Sequence, residues 1–430
     1  MSKTRMSRTA ALISVSALAV GVLAGCAANN PSGGTGGGRS DSLEVVSWWT
    51  SGSEAEALDV LVNAVKAEDS ALTVENAAVS GGGGANAKQA LAARLQANDP
   101  PDAWQLHPDG ELKSYVEGGQ VADISDLWEE NGWADDLPAD VAAVQAVDGK
   151  YYTVPVGVHR GNVLWTSPTV LEDAGVTIDE TTTIDGFFDA MQKVADSGKT
   201  PICLGDKDVF ASAQLLESFI MARVGADNWK ALFTNEYSFD SPEVEQAVED
   251  YKTALSMANS DHSALTWDEA AKKVGAGECA VSLMGDWAYG ELVNGGFEPG
   301  TDFGWASFPD SAQIFDYVGD GFSIPANNIP NAEAANLWLT TLMDPEVQTE
   351  FAAKKGSIPA LTTADTSSLS EYQQSAAATF ATAGIVSSLA HGQVTTAEFA
   401  RVYADAVTAF NGDTNVGSFL STMTAAQANL

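Results

Sequence analysis

Leu43-Glu44-Val45-Val46-Ser47-Trp48-Trp49, followed after a short break by an apolar-periodic run from Ser53 to Lys66, sets the wiring of the chain. The first segment is β-branched and aromatic and reads as a strand. The second repeats its apolar residues at helical spacing. Ser53 and Glu56 match an S-x-x-E capping box and put the helix start at Ser53. Working outward, Leu72 to Val79 reads as a strand, Ala85 to Ala97 as a helix and Asp102 to Leu106 as a strand. That alternation belongs to an α/β fold with a largely parallel sheet. A second set follows Val154, with a helix from Asp185 to Ser197, a strand at Pro201 and a long helix opened by Ser241-Pro242. A helix from Trp267 to Val274 and strands at Cys279, Asp302 to Ser307 and Gly321 to Pro325 come next, and helical patterns dominate from Asn331 onward. Two α/β sets in nearly 390 residues predict two domains. The crossings are expected near Val154 to Val158 and Trp305 to Pro309. Each domain is then discontinuous: residues 42–156 with 306–360, and 157–305 with 361–430.

At the other end, Lys3, Arg5 and Arg8 precede an apolar run from Ala10 to Ala24 that is short for a bilayer span, the pattern of a secretory signal over residues 1–25. The run closes in Leu23-Ala24-Gly25-Cys26, which resembles the lipobox of bacterial lipoproteins and implies lipidation of Cys26. Residues 26–41 are rich in Gly, Ser, Asn and Pro and read as a flexible tether with a reach of about 20 Å. The expected place is therefore the outer face of the cytoplasmic membrane, with the lipid as the only membrane contact.

The formal net charge is −37, and loss of Lys3, Arg5 and Arg8 makes it three units more negative. Such a field repels nucleic acid, and its ordinary meaning is solubility. Cys203 and Cys279 each stand in a short apolar run, and in an oxidising compartment an even pair invites a disulfide. Two free buried thiols are the alternative.

Polar and aromatic residues stand where apolar strands end, the place where open α/β sheets put ligands. Trp48 and Trp49 end the first strand, Gln105 and His107 end another, and His159 follows the run Tyr152 to Val158. A pyranose offers apolar C–H faces and a ring of hydroxyls, so its site needs flat aromatic walls and side chains that donate and accept in one plane. For most of the eleven tryptophans core packing is the ordinary role. Trp48 and Trp49, as strand neighbours, point to opposite faces, so one can pack while the other meets a cleft. The four histidines lack zinc-site spacing, so no metal and no cofactor is expected, and His262 reads as a solvated loop residue.

The chain resembles, nearly end to end, the glucose-, galactose- and mannose-binding members of the extracellular solute-binding proteins of ABC sugar importers. The blocks that carry the likeness are Ser47-Trp48-Trp49 with Glu54, Gly81 to Gly84 with Asn86, Asp99-Pro100-Pro101-Asp102, Gln105-Leu106-His107 and Val154 to Val163. Met284-Gly285-Asp286-Trp287-Ala288, Lys355-Gly356-Ser357 and His391-Gly392 complete them. The resemblance implies a type II periplasmic-binding-protein-like clamp with a hinge. It also implies a monomer that is not an enzyme and that passes a monosaccharide to ABC permease subunits. The sugar is expected to be lined by Trp48, Trp49, Glu54, Gln105, His107, His159, Trp267, Asp286, Trp287, Asp320, Lys355 and His391, with Trp49 or Trp267 stacking on the ring. One departure is Pro108-Asp109-Gly110 after the Gln-x-His block, which adds a carboxylate near the site. An oligosaccharide or amino sugar on the same scaffold is the alternative ligand, and a secreted glycoside hydrolase using two carboxylates is the alternative class.

Overall fold

The computed structural model describes residues 41–50 and 52–430. The signal segment, Cys26 and the tether lie outside the described residues. Twelve strands are described: β1 Ser42–Val46, β2 Thr73–Asn76, β3 Ala103–Leu106, β4 Ala146–Val147, β5 Lys150–Tyr151 and β6 Val154–Arg160. They continue as β7 Val163–Thr166, β8 Thr200–Ile202, β9 Cys279–Leu283, β10 Gly304–Ser307, β11 Ile314–Ser323 and β12 Gly384–Ser387. One sheet runs β12-β11-β3-β1-β2 with β6 also on β11; a second runs β10-β7-β9-β8; β4 and β5 form a hairpin. Helices pack around each sheet, giving the expected two-lobed α/β architecture.

The parallel character is partial. β1 pairs in parallel with β2 and β3, β11 with β12, and β8 with β9. β11 runs antiparallel to β3 and β6, as β7 does to β9 and β10. For β6 with β11 and β7 with β10 the reason lies in the path, because strands that leave one sheet for the other come back reversed. The chain passes from the first sheet to the second between Arg160 and Val163, and back between Ser307 and Ile314. Asn162 ties these passages together, its Nδ2 donating to Ser311 Oγ at 3.0 Å and to the Ile314 carbonyl at 2.9 Å.

β11 is longer than the Gly321 to Pro325 reading because Asp316, Gly319, Asp320 and Gly321 interrupt its apolar pattern, yet all ten of its residues are buried. The first helix begins at Gly52, and the capping box expected from Ser53 and Glu56 does not form. Glu291, from the helix Trp287–Asn294, accepts instead from Ser53 N at 2.7 Å and Ser53 Oγ at 3.0 Å, so this helix is capped by a distant carboxylate. Glu56 turns outward to Asn294 and Lys354. Local caps hold elsewhere: Ser241 accepts from Val244 N at the start of Pro242–Ser256.

Cys203 and Cys279 are joined by a disulfide with a Cα–Cα separation of 5.9 Å, made possible by β8 and β9 lying side by side. Trp49, Trp104, Trp128, Trp165, Trp229 and Trp338 are all buried core side chains. His262 is not fully solvated; it sits in the one-turn helix His262–Ala264 with a partly buried ring 3.8 Å from Asp206. Among the described residues no helix is long and apolar enough to cross a membrane.

Candidate functional site

A cavity of about 400 Å³ lies where the ends of β1 and β3, the middle of β11 and the starts of several helices converge. That size falls at the lower end of small-molecule pockets, about 300–1,000 Å³. Trp48, Trp49, Glu54, His107, Trp267, Trp287, Asp320, Lys355 and His391 all stand in its wall. Strand alternation explains part of this: Val318 and Asp320 share one face of β11 and point inward, while Tyr317 and Gly319 face the other way.

The charged members are paired within the wall. Lys355, at the C-terminal end of the helix Pro345–Lys355, is buried, and its Nζ is 2.5 Å from Glu54 Oε1. The same ammonium lies 5.4 Å from the Trp49 ring and 5.6 Å from the Trp287 ring. Burial pushes Glu54 above the ordinary carboxylate range, and Lys355 pulls it part of the way back. Asp320 behaves oppositely: burial would raise it, but His159, Lys355 and His107 together hold it well below its ordinary value. His107 and His391 are depressed, chiefly by burial, so both rings are neutral at pH 7.

Three of the expected residues stand one layer behind the wall. Gln105 Nε2 donates to Asp320 Oδ1 at 2.8 Å, and its Oε1 receives Trp48 N at 3.3 Å. His159 is completely buried, with Nε2 3.0 Å from Asp320 Oδ2 and Nδ1 2.5 Å from Asp286 Oδ1. These three do not reach the cavity; they brace what does.

The two adjacent tryptophans divide their roles. Trp49 is wholly buried against Phe322 and Phe351 and has no open ring face for stacking, whereas Trp48 is half-buried beside His107 with ring centroids 5.0 Å apart. Gly84 explains the close wall around Trp48: with φ of +91° it adopts a left-handed turn, and a Cβ there would stand 2.7 Å from that ring. Trp267, at the start of Trp267–Gly275, is the other half-buried indole.

Asp109 is not near this site. It opens the helix Gly110–Glu117 at φ of +70°, pairs with Lys113 at 2.7 Å and lines a separate cavity with Tyr317, on the opposite face of β11. Proline and glycine on either side turn the chain so that its carboxylate leaves the line of Gln105 and His107.

Sequence reasoning missed Lys207, Asp208, Phe210, Asp268 and Glu291, which also line the cavity. Asp206-Lys207-Asp208 follows β8 closely, so the strand-end rule applied at Trp48 would have found it. Glu291 carries no such local signal, since its partner Ser53 is 238 residues away. Among the described residues no group of three His, Cys, Asp or Glu side chains is arranged to hold a metal ion.

With its ions internally paired, the cavity can offer acceptors at Glu54 and Asp320, a donor at Lys355 and indole surface at Trp48 and Trp267. This suits an uncharged, many-hydroxyl solute better than an ion. The sequence matches the model of the bacterial extracellular solute-binding proteins over residues 51–349. It is 34% identical over 352 residues to an uncharacterized ABC transporter extracellular-binding protein of Pyrococcus horikoshii, covering 81% of this chain and 79% of that one. It is 31% identical over 324 residues to a probable sugar-binding periplasmic protein of Mesorhizobium japonicum, covering 74% and 76%. A solved chitin oligosaccharide binding protein superposes with a TM-score of 0.79 at 18% identity, over 90% of this chain and 98% of that one, which is a likeness of fold.

Proposed function

The chain belongs to the bacterial extracellular solute-binding proteins, and from that membership we propose that it captures a monosaccharide of the glucose, galactose or mannose class and hands it to the permease of an ABC importer. The observation that carries this reading is the paired cluster of Glu54, Lys355 and Asp320 set against half-buried Trp48 and Trp267 in about 400 Å³. Sugar hydroxyls would bridge the cluster, the indoles would cover the C–H faces, and the likeness to a probable sugar-binding periplasmic protein supports the class.

Capture would proceed by lobe closure about the two sheet-to-sheet passages at 161–162 and 308–313, a few residues beyond the boundaries 156/157 and 305/306. The protein would act as a monomer that binds without turnover, held to the membrane through a lipid on Cys26. Cys26→Ser should release it or leave it unprocessed; a membrane-bound, normally processed variant would end the anchor assignment. An oligosaccharide is the second reading, favoured by one observation: the cavity wall also includes the exposed pair Lys207 and Asp208. A thermal-shift screen with hexoses, disaccharides and chitin oligomers tests both, and product analysis of the disaccharide samples tests the absence of turnover.

A further inference from the structure

His159 is the most buried of the charged groups around the cavity, and it touches no part of it. Its ring sits between two carboxylates that come from different lobes. Asp286 follows β9 of the second sheet and approaches Nδ1 at 2.5 Å, while its other oxygen accepts from Arg160 N at 2.9 Å. Asp320 on β11 of the first sheet lies 3.0 Å from Nε2, an ion-pair contact whose angle falls outside that of a hydrogen bond, and is held from the other side by Gln105 on β3. A neutral imidazole has one N–H and could donate to only one of these carboxylates, leaving the other facing a lone pair without water to relieve it.

We propose that His159 is a positioning residue: as an imidazolium bridging Asp286 and Asp320, it keeps Asp320 ionised and oriented toward the ligand and makes that orientation depend on the juxtaposition of the two lobes. This rests on the sugar-binding reading of the cavity. The groups that face the ring are Asp286 ahead of Trp287–Asn294, Asp320 on β11 and the Lys355 ammonium at the end of Pro345–Lys355; neutral His391 and His107 lie beyond Asp320. Arg160, the next residue, aims its guanidinium away, at Asn162 and Ser307. Burial and Lys355 oppose the charged ring, and Asp286 and Asp320 outweigh them, so its pKa is raised. Asp320 is lowered by the same contact.

Two measurements decide the matter. In ¹⁵N-histidine-labelled protein, the four histidines should separate so that His159 shows both nitrogens protonated at pH 7 while His107 and His391 each show one. A bare nitrogen on His159 at pH 7 overturns the proposal. His159→Gln keeps a donor but cannot carry the charge. It should weaken sugar binding about tenfold at pH 7, the size of losing one hydrogen bond to a charged group. It should also introduce an acid limb in the affinity profile as Asp320 returns toward the ordinary carboxylate range, where the parent stays flat. A variant with the parent's affinity and the parent's pH profile overturns the proposal as well. A parent protein that binds no sugar would instead remove the functional reading, and the nitrogen shifts would still report the state of His159.

Discussion

Asp316 and Asp320 stand four residues apart on the same face of β11, and burial deprives both of water. At Asp320 the neighbours are His159, Gln105, Lys355 and His107, and the carboxyl is held below its usual range. At Asp316 the strongest charged influence is another acid, Glu217, and among the described residues neither oxygen of Asp316 has a hydrogen-bond partner. Arg160 lies close enough to moderate the charge, but its guanidinium is taken up by Asn162 and Ser307. Burial and Glu217 together push Asp316 well above the ordinary carboxylate range. Glu217 is itself raised to about 7 by burial, although Ser388 Oγ and the amides of Leu389 and Ala390 donate to it. One strand therefore carries an acid held below the ordinary carboxylate range at the cavity and one pushed above it near the crossing. Burial is common to both; the difference lies in whether a cation or a carboxylate faces the group.

The same isosteric change at the two ends should therefore act oppositely. Asp320→Asn leaves His159 and Lys355 short of an anion in a dry site and should lower stability by about 3 kcal/mol, with sugar affinity falling on the order of a hundredfold. Asp316→Asn replaces a group whose surroundings favour the neutral form and should stay within about 1 kcal/mol of the parent at neutral pH. Urea unfolding of both variants checks this; equal losses would erase the contrast.

The next effect is in the pH dependence. A carboxyl with a raised folded pKa contributes stability below its unfolded value, and that contribution is lost as pH rises through the folded one. For Glu217 the window opens near 4.5, its ordinary value, and reaches about 7. Glu217→Gln should thus gain on the parent as pH rises from about 4.5 to about 7, as urea unfolding across that range would read. A constant difference across that range would mean that Glu217 is not raised by its burial. Asp320 runs the other way: its contribution is present above the unfolded carboxylate value and fades only in acid.

Smaller still is the aromatic contribution, which should not feel charge at all. Trp267→Ala should weaken glucose, galactose and mannose alike by about 1 kcal/mol, roughly fivefold. Lys355→Ala should instead reorder the three, because only some epimers place a hydroxyl where the ammonium donates. Calorimetry on both variants separates stacking from polar recognition, and reordering by Trp267→Ala would break the distinction.

How much of this could be read in the residues follows from distance along the chain. The strand ends at Trp48 and His107, the helix from Ser241-Pro242 and the alternation of elements rest on neighbours a few positions apart, and local rules describe them. The polar face of β11 defeats those rules, since Asp320 looks like a strand breaker until β3, β6 and the helix Pro345–Lys355 bring Gln105, His159 and Lys355 beside it. Glu291 capping Ser53 is invisible for the same reason, and it displaces the local Ser53 and Glu56 box. His159 reads as a ligand contact because it ends an apolar run, but only the fold places Asp320 between it and the cavity.

Calorimetric titration of glucose, galactose and mannose into the parent protein and Asp320→Asn side by side asks whether the Glu54, Lys355 and Asp320 cluster binds a neutral sugar. Saturable one-to-one binding of at least one hexose to the parent is expected, with a loss on the order of a hundredfold in the variant. Hexose binding that is unchanged by Asp320→Asn, or no binding of any of the three to the folded parent, would contradict that role of the cluster.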